Sequence, residues 1–373
     1  MQLFVLGMHR SGTSTVTRLL NMGGAYFGPE GVSNGADEGN LKGFWERVDV
    51  RTACDGLLQE SGFDWWKVAG FSLDRIPEPV RARHVRSLGR IILELDAHRP
   101  WVVKEPRLSL LFPLVRPVLE FPVCIHVTRE PLEVARSLET RNGFPAPAGL
   151  ALWELYTIRS FEASAGLPRL LVRYEDLMSA PVDAFARLVS QLSDLGVIGL
   201  RVPTEREITA YIDVGLHREH RSPADRPLWM NEQQLALARA IDDGPMIDDG
   251  ALPTEVSEGA SAELRAFEEA RARADQLQQE VERLRDELKS QQQRLEETAA
   301  AFDELMASAD RQLQQLSQSR SWRLAWGATI ARHRLVGADR NPASPLDQAT
   351  SLIERARRRL ADGAAPPGDD PPA

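Results

Sequence analysis

The residues with the plainest chemical meaning lie near the start of the chain, Gly7-Met8-His9-Arg10-Ser11-Gly12-Thr13-Ser14. Gly-x4-Gly followed by Thr-Ser matches a nucleotide phosphate loop, except that Thr13 stands where such loops carry lysine. The backbone physics survives that change. Glycines let the chain curl so that amide N–H groups face inward, and the following helix adds the positive end of its dipole. His9, Arg10, Ser11, Gly12, Thr13, Ser14 and Thr15 are the candidate cofactor-binding residues of this loop, and the hydroxyls of Thr13, Ser14 and Thr15 can donate to phosphate oxygens. What is lost is the lysine that reaches a β/γ-phosphate pair. The aspartate that would hold Mg²⁺ at a strand end is also missing: the strands end in Thr128-Arg129 and Lys104-Glu105. A nucleotide without a triphosphate fits better than ATP. A Gly-x4-Gly turn alone is also an ordinary strand–helix connection, but the apolar run Gln2–Leu6 before it and the helical pattern after it favour the phosphate loop.

A second phosphate contact is offered by Arg129 and Ser137, eight residues apart. Arg129 falls at a strand end, where ligands gather in open α/β sheets, and its planar fork suits a phosphate. Pro131 suits the first position of a helix, which places Ser137 nearly two turns along it. Alone, Arg129 reads better as the cap of a sheet edge or the partner of a carboxylate; beside the first loop it reads as an anion grip. Arg10 and Lys104 are the cations expected to stabilise charge on a reacting group. For a general base the sequence offers Glu46 first, with Glu30, His9 and Glu105 as rivals.

Taken in order, these segments resemble the PAPS-dependent sulfotransferases, enzymes that move a sulfuryl group from 3′-phosphoadenosine 5′-phosphosulfate (PAPS) to a hydroxyl. The bacterial type is especially similar, in the loop at Gly7, in Leu41-Lys42-Gly43-Phe44-Trp45-Glu46, in Val103-Lys104-Glu105-Pro106-Arg107-Leu108 and in Arg173-Tyr174-Glu175-Asp176-Leu177. The likeness covers about residues 1–230. It implies that the loop at Gly7 binds the 5′-phosphosulfate, that Arg129 and Ser137 bind the 3′-phosphate, and that Arg10 and Lys104 face the sulfuryl and leaving phosphate. With Glu46 as first choice of base, the expected catalytic set is Arg10, Lys104 and Glu46, and no metal is expected. Family members usually show Lys-Asp-Pro where this chain has Lys104-Glu105-Pro106, and carry lysine or arginine where Arg10 stands; both departures preserve charge. A saccharide hydroxyl of a glycan or glycolipid is the acceptor that the analogy suggests. His217-Arg218-Glu219-His220-Arg221 is either a basic segment closing the cofactor site or a solvated turn. Trp65, Trp66 and Trp153 read as sugar-pocket walls or as core. The readings to be distinguished from this one are a P-loop small-molecule kinase using ATP and a non-catalytic coiled-coil scaffold.

These residues must be positioned by strands and helices that alternate. Strands are expected at 2–6, 101–103, 123–128 and 170–174, with helices at 13–22, 47–60, 79–97 and from Pro131. The fold class is α/β, a P-loop-like parallel sheet flanked by helices, followed by a long coiled-coil helix. The expected domains are a sulfotransferase domain over 1–240, an acidic linker over 241–260, a coiled coil over 261–318 and a basic amphipathic tail with a disordered end over 319–373. In the coil, Ala274, Leu277, Val281, Leu284, Leu288, Leu295, Phe302, Leu313 and Leu316 keep an apolar seam, with Gln291 and Thr298 filling it less well. The coil implies a homo-oligomer or a partner helix. Arg320, Arg323, Arg332 and Arg334 alternate with Trp322, Leu324, Trp326 and Ile330, a pattern for an anionic membrane surface or for protein docking over 319–336. A last helix is expected at 350–361. The net charge of −9 argues against a general nucleic-acid binder. No signal-like start and no run of about 18 apolar residues is seen, so the expected location is cytoplasmic, at most peripheral to the inner face of the membrane. Cys54 and Cys124 form no metal or redox spacing.

Overall fold

The computed structural model describes residues 1–33, 35, 43–212, 223–243, 253–337 and 342–361. Leu41-Lys42, the basic segment at 217–221, most of the acidic stretch and the Pro/Gly-rich end from Gly363 lie outside the described residues. The chain divides into two compact units, Met1–Arg273 and Ala274–Ala373.

The first unit is built on four parallel strands, β1 (Gln2–Leu6), β2 (Trp101–Lys104), β3 (Pro122–Thr128) and β4 (Arg169–Arg173), in the order β2-β1-β3-β4. Gln2 lies opposite Trp101 on one side and Pro122 on the other, and Thr128 lies opposite Arg173. Alternate side chains enter two cores, as the two-residue period of a strand requires. Phe4 and Leu6 point into one with Trp101, Val103 and Cys124; Leu3 and Val5 point into the other with Val102, Val123 and Ile125. Connections cover both faces: α1 (Thr13–Met22), α2 (Val48–Gln59), α3 (Glu78–Asp96), α4 (Leu108–Val115), α5 (Pro131–Asn142), α6 (Ala146–Ala163), α7 (Tyr174–Ser179), α8 (Pro181–Asp194), α9 (Glu205–Tyr211), α10 (Arg226–Trp229) and α11 (Glu232–Asp243). From β1 the chain crosses to β2 on one side and then to β3 on the other. The strand order therefore reverses between β1 and β3, where open α/β sheets bind ligands beyond the strands' carboxyl ends. The loop at Gly7 follows β1 and Arg129 follows β3, so both stand at that reversal.

The helix α12 (Glu258–Gln318) begins inside this unit. The Ser257 hydroxyl accepts from the Ala260 N–H at 3.1 Å and opens the helix. Ala260, Leu264 and Phe267 are buried. The Phe267 ring meets Phe144 at 4.8 Å and Trp66 at 5.7 Å, and the Glu268 carboxylate accepts from the Ala69 N–H at 2.6 Å. Burying a side chain such as Leu264 or Phe267 is worth roughly 1.5–3 kcal/mol, which holds a segment the sequence reading divides between linker and coil within the first unit.

The second unit carries the rest of α12, then α13 (Arg320–Leu335) and α14 (Pro345–Ala361), which starts five residues before the helix read from sequence at 350. The Ser319 hydroxyl accepts from the Trp322 N–H and caps α13; the Trp322 and Trp326 rings stack at 6.0 Å. Arg357 on α14 pairs with Asp310 on α12 at 2.7 Å. Among the described residues no helix is long and apolar enough to cross a membrane.

Candidate active site

The loop between β1 and α1 is held from three directions. Gly7 has φ 147°, and a Cβ there would lie 2.4 Å from the Val127 carbonyl oxygen of β3. The Gly7 N–H donates to the Ser109 hydroxyl at 3.1 Å, so the start of α4 fixes the loop's entry. Gly12, at φ 90°, is the left-handed residue that opens α1, and a Cβ on it would strike the Tyr174 ring at 2.2 Å. Only glycine meets both demands at these two positions. Ser14 donates its hydroxyl to the Phe44 carbonyl at 2.7 Å, and Thr17 donates to the Thr13 carbonyl at 2.8 Å. Ser11 and Thr13 are buried, whereas Thr15 lies partly open.

Arg10 takes φ 72°, unusual for a residue with a side chain, and this turns it toward α5. Its Nε donates to the Ser137 hydroxyl at 2.9 Å across 127 positions of sequence. Arg129 donates from Nη1 to the Arg10 carbonyl at 3.2 Å and from Nε to Glu133 at 2.9 Å, while its guanidinium lies 4.8 Å from the centre of the Tyr174 ring. Arg10, Arg129 and Ser137, singled out from two distant segments, therefore form one cluster. The neighbouring Glu130 is gripped by Arg226 of α10, Nη2 to Oε2 at 2.6 Å, and its N–H donates to Glu175 at 2.7 Å. This clamp fixes the backbone next to Arg129.

Lys104 and Glu46 form the second cluster. The Lys104 ammonium donates to Glu46 Oε1 at 2.6 Å, with side-chain exposures of 2% and 9%. Burial pushes the Glu46 carboxyl upward, but the Lys104 charge, its hydrogen bond and the Arg107 and Arg51 guanidiniums outweigh burial and hold it below the ordinary carboxylate range. Glu46 is delivered by an unusual segment. Trp45 sits at φ 49°, its ring packed edge-on to Phe27 at 5.4 Å and under the Arg18 guanidinium at 4.4 Å. Behind Glu46 the buried Arg47 fork binds Asp49 at 2.6 Å and the Phe27 carbonyl at 3.3 Å.

The rivals to Glu46 occupy different surroundings. Glu105 is fully buried and accepts from Arg107, N–H at 3.1 Å and Nη1 at 2.6 Å; Arg107 also pairs with Asp55 at 2.5 Å. Burial raises the Glu105 carboxyl despite the Arg107 charge. Both Arg107 donors go to Oε1, so Glu105 supports the Arg107 side chain. His9 packs on Trp65 at 4.6 Å and Tyr156 at 5.8 Å, and its buried Nε2 has no hydrogen-bond partner among the described residues. Burial, then the charges of Arg107, Lys104, Arg10 and Arg141, hold the imidazole well below its usual value, so it is neutral near pH 7. Glu30 is exposed. Trp153 is buried core, whereas Trp65 and Trp66 are half-buried.

Ser109, Glu133, Arg226 and Asp55 shape these clusters and were not singled out from the sequence. Ser109, Arg226 and Asp55 are unremarkable in their local sequence. Glu133 alone carried a local signal: it lies four residues after Arg129, a helical ion-pair spacing.

No protein-family model matches the chain, and no curated protein matches it. Among solved structures it is similar to the sulfotransferase domain of the Synechococcus PCC 7002 olefin synthase, at 19% identity over 72% of this chain and 94% of that one, with a TM-score of 0.35. It is similar also to the sulfotransferase domain from the curacin biosynthetic pathway, at 14% identity over 71% and 96%, with a TM-score of 0.34. A third is the sulfotransferase STF9 from Mycobacterium avium, at 17% identity over 59% and 69%, with a TM-score of 0.30. Likeness at this level assigns no residue a role.

Proposed function

We propose that this chain is a sulfotransferase that moves a sulfuryl group from PAPS to a hydroxyl acceptor. The observation that carries the reading is the meeting of Arg10, Arg129 and Ser137 beyond the β1 and β3 ends, next to a loop whose glycines admit no side chain. Two anion grips side by side suit a nucleotide bearing a 5′-phosphosulfate and a separate 3′-phosphate. The residues fit that group. The loop amides, Ser11 and Thr13–Thr15 would hold the 5′ side, and Arg129 and Ser137 the 3′-phosphate. The Nε2 of His9, without a hydrogen-bond partner among the described residues, is a further polar atom of the loop.

When bound, PAPS supplies an activated sulfuryl group. The chain's own residues then supply charge and a proton acceptor. Lys104 and Arg10 stabilise negative charge building on the leaving phosphate. Glu46 takes the acceptor's proton. In the free protein Glu46 is paired with Lys104; an incoming anion competes for the ammonium and leaves the carboxylate more basic. His9, held neutral, adds no charge to the site.

The acceptor we favour is a saccharide hydroxyl of a glycan or glycolipid, and half-buried Trp65 and Trp66 are its candidate walls. The segment 261–318 serves self-association or binds a partner helix. The basic, Trp-bearing α13 over 319–336 contacts the inner face of a membrane in a cytoplasmic protein. Isothermal calorimetry with 3′-phosphoadenosine 5′-phosphate (PAP) against ATP tests the central claim: PAP should bind without added Mg²⁺, and a preference for ATP overturns it. Liposome co-sedimentation of the full chain against one ending at 318 tests the tail; binding that is insensitive to salt or to the truncation removes the membrane reading.

A further inference from the structure

The apolar stripe of α12 is used up by the first unit only as far as Phe267. From Leu277 to Leu295 it stands in the open: Leu277, Val281, Leu284, Leu288 and Leu295 are all exposed, from 42% at Val281 to 71% at Leu295, and farther along Leu305 is exposed while Phe302 and Leu313 are half-buried. These residues recur at steps of four and three, the spacing of a coiled-coil seam. With Val281, Leu288, Leu295 and Phe302 at a, the d positions are Leu277, Leu284, Gln291, Thr298 and Leu305. Water gives a lone helix no reason to keep such a seam, since propensity alone does not require it.

We infer that the seam takes a second copy of this chain, lying parallel and in register. Three features select that occupant. In the one heptad whose a residue is β-branched, Val281 with Leu277 and Leu284 at d favours two strands. In a parallel pair each g residue faces the e residue five positions on in the partner: Glu280 faces Arg285, Glu287 faces Gln292 and Arg294 faces Ala299, so one contact is attractive and none is like-charged. The polar layers decide the direction. In register, Gln291 meets its own counterpart and Thr298 meets Thr298, so each polar group finds a polar partner. An antiparallel pair sets d layers against a layers, and every a residue from 274 to 309 is apolar. Gln291 would then be buried against a side chain that cannot accept or donate. A shift by one heptad lets one Gln291 meet Thr298 but buries the other against Leu284 and one Thr298 against Leu305.

The inference does not rest on the sulfuryl-transfer reading. Its test uses the full chain. Light scattering at tens of micromolar should give twice the mass of one chain. Val281→Cys and Leu295→Cys, made separately, should each form a disulfide with itself on mild oxidation; the native Cys54 and Cys124 are buried and stay out of the reaction. A mixture of the two variants should give no 281-to-295 cross-link. Leu284→Glu with Leu288→Glu should give a single-chain mass while near-ultraviolet circular dichroism stays unchanged. A single-chain mass for the unaltered protein, a mass above two chains, a 281-to-295 cross-link, or a doubly substituted variant that keeps twice the mass each overturns the inference. If PAP fails to bind the unaltered protein, the enzymatic reading falls and these mass and cross-linking results still stand.

Discussion

Replacing Glu46 by glutamine separates its two roles. Glu46 balances Lys104 across 2.6 Å in a place where both side chains are nearly excluded from water. Removing one partner of a buried ion pair costs roughly 3–5 kcal/mol, because the other charge is left uncompensated. Glutamine keeps an oxygen that still accepts from the ammonium, which returns about 1 kcal/mol. The expected net loss of stability is therefore about 2–4 kcal/mol, read as a lowered midpoint in urea unfolding at pH 7. Saturating PAP should shrink the deficit, since its anionic groups offer Lys104 a new counter-charge and ligand binding stabilises the folded state. Turnover should fall by ~10²–10⁴-fold, the usual worth of a positioned base. The acid side carries its own signature. Because the folded carboxyl lies below its ordinary value, its contribution is complete above the unfolded value near pH 4.5 and is lost as pH falls through the folded one. Glu46→Gln should abolish that acid-side step. Near-normal turnover with intact PAP binding would refute the role of base; an unchanged urea midpoint without PAP would refute the energetics of the pair.

Ser137→Ala removes the hydroxyl that Arg10 meets, and PAP affinity by calorimetry should drop about tenfold, a loss of ~1.4 kcal/mol; an unchanged affinity takes Ser137 out of the grip. Gly12→Ala places a Cβ 2.2 Å from the Tyr174 ring at φ 90°, so stability should fall by more than about 2 kcal/mol with loss of PAP binding, and a native melting temperature would contradict that packing. Phe267→Ala empties a contact with Phe144 and Trp66 and should cost ~3–5 kcal/mol in urea; no change would mean that the start of α12 does not dock. His126 is buried, with Nδ1 and Nε2 at 3.2 and 2.9 Å from the Ser160 and Ser164 hydroxyls, and burial, then Arg169, lowers its imidazole to about 3. The unfolded chain thus binds a proton that the folded chain refuses between roughly pH 6.5 and 3, so stability is lost as pH is lowered through that window, by up to ~1.4 kcal/mol per unit. His126→Gln should flatten that slope in urea titrations, and an unaltered slope would assign it to other groups.

The sheet was legible because buried parallel strands leave short apolar runs, and Val123–Thr128 and Leu170–Arg173 read as strands without ambiguity. The tight turn between β1 and α1 was legible because glycine spacing reports a backbone demand directly. Arg129 and Ser137 could be paired from sequence through Pro131, which fixes where α5 starts. What could not be read is what tertiary packing alone creates. Ser109 reaches Gly7 across 102 positions, and Arg226 reaches Glu130 across 96. Neither spacing has a local period. The start of α12 was also hard to read: Ala260 and Phe267 fall at positions that continue into the heptad seam, and only Leu264, one place beyond a d position held by Glu263, sets the stripe that docks on the first unit apart from the one that follows.

Arg10 and Trp45 share a left-handed backbone that neither residue type prefers, and they lie next to the groups named for cofactor and proton. Such conformations cost of order 1–3 kcal/mol each and persist only where the surroundings over-determine them. They therefore mark where selection for thermostability and selection for turnover should diverge. A directed-evolution screen scored on melting temperature alone would accept glycine or asparagine at 45, gaining backbone comfort and loosening the loop that delivers Glu46. A screen scored on product would reject the same change.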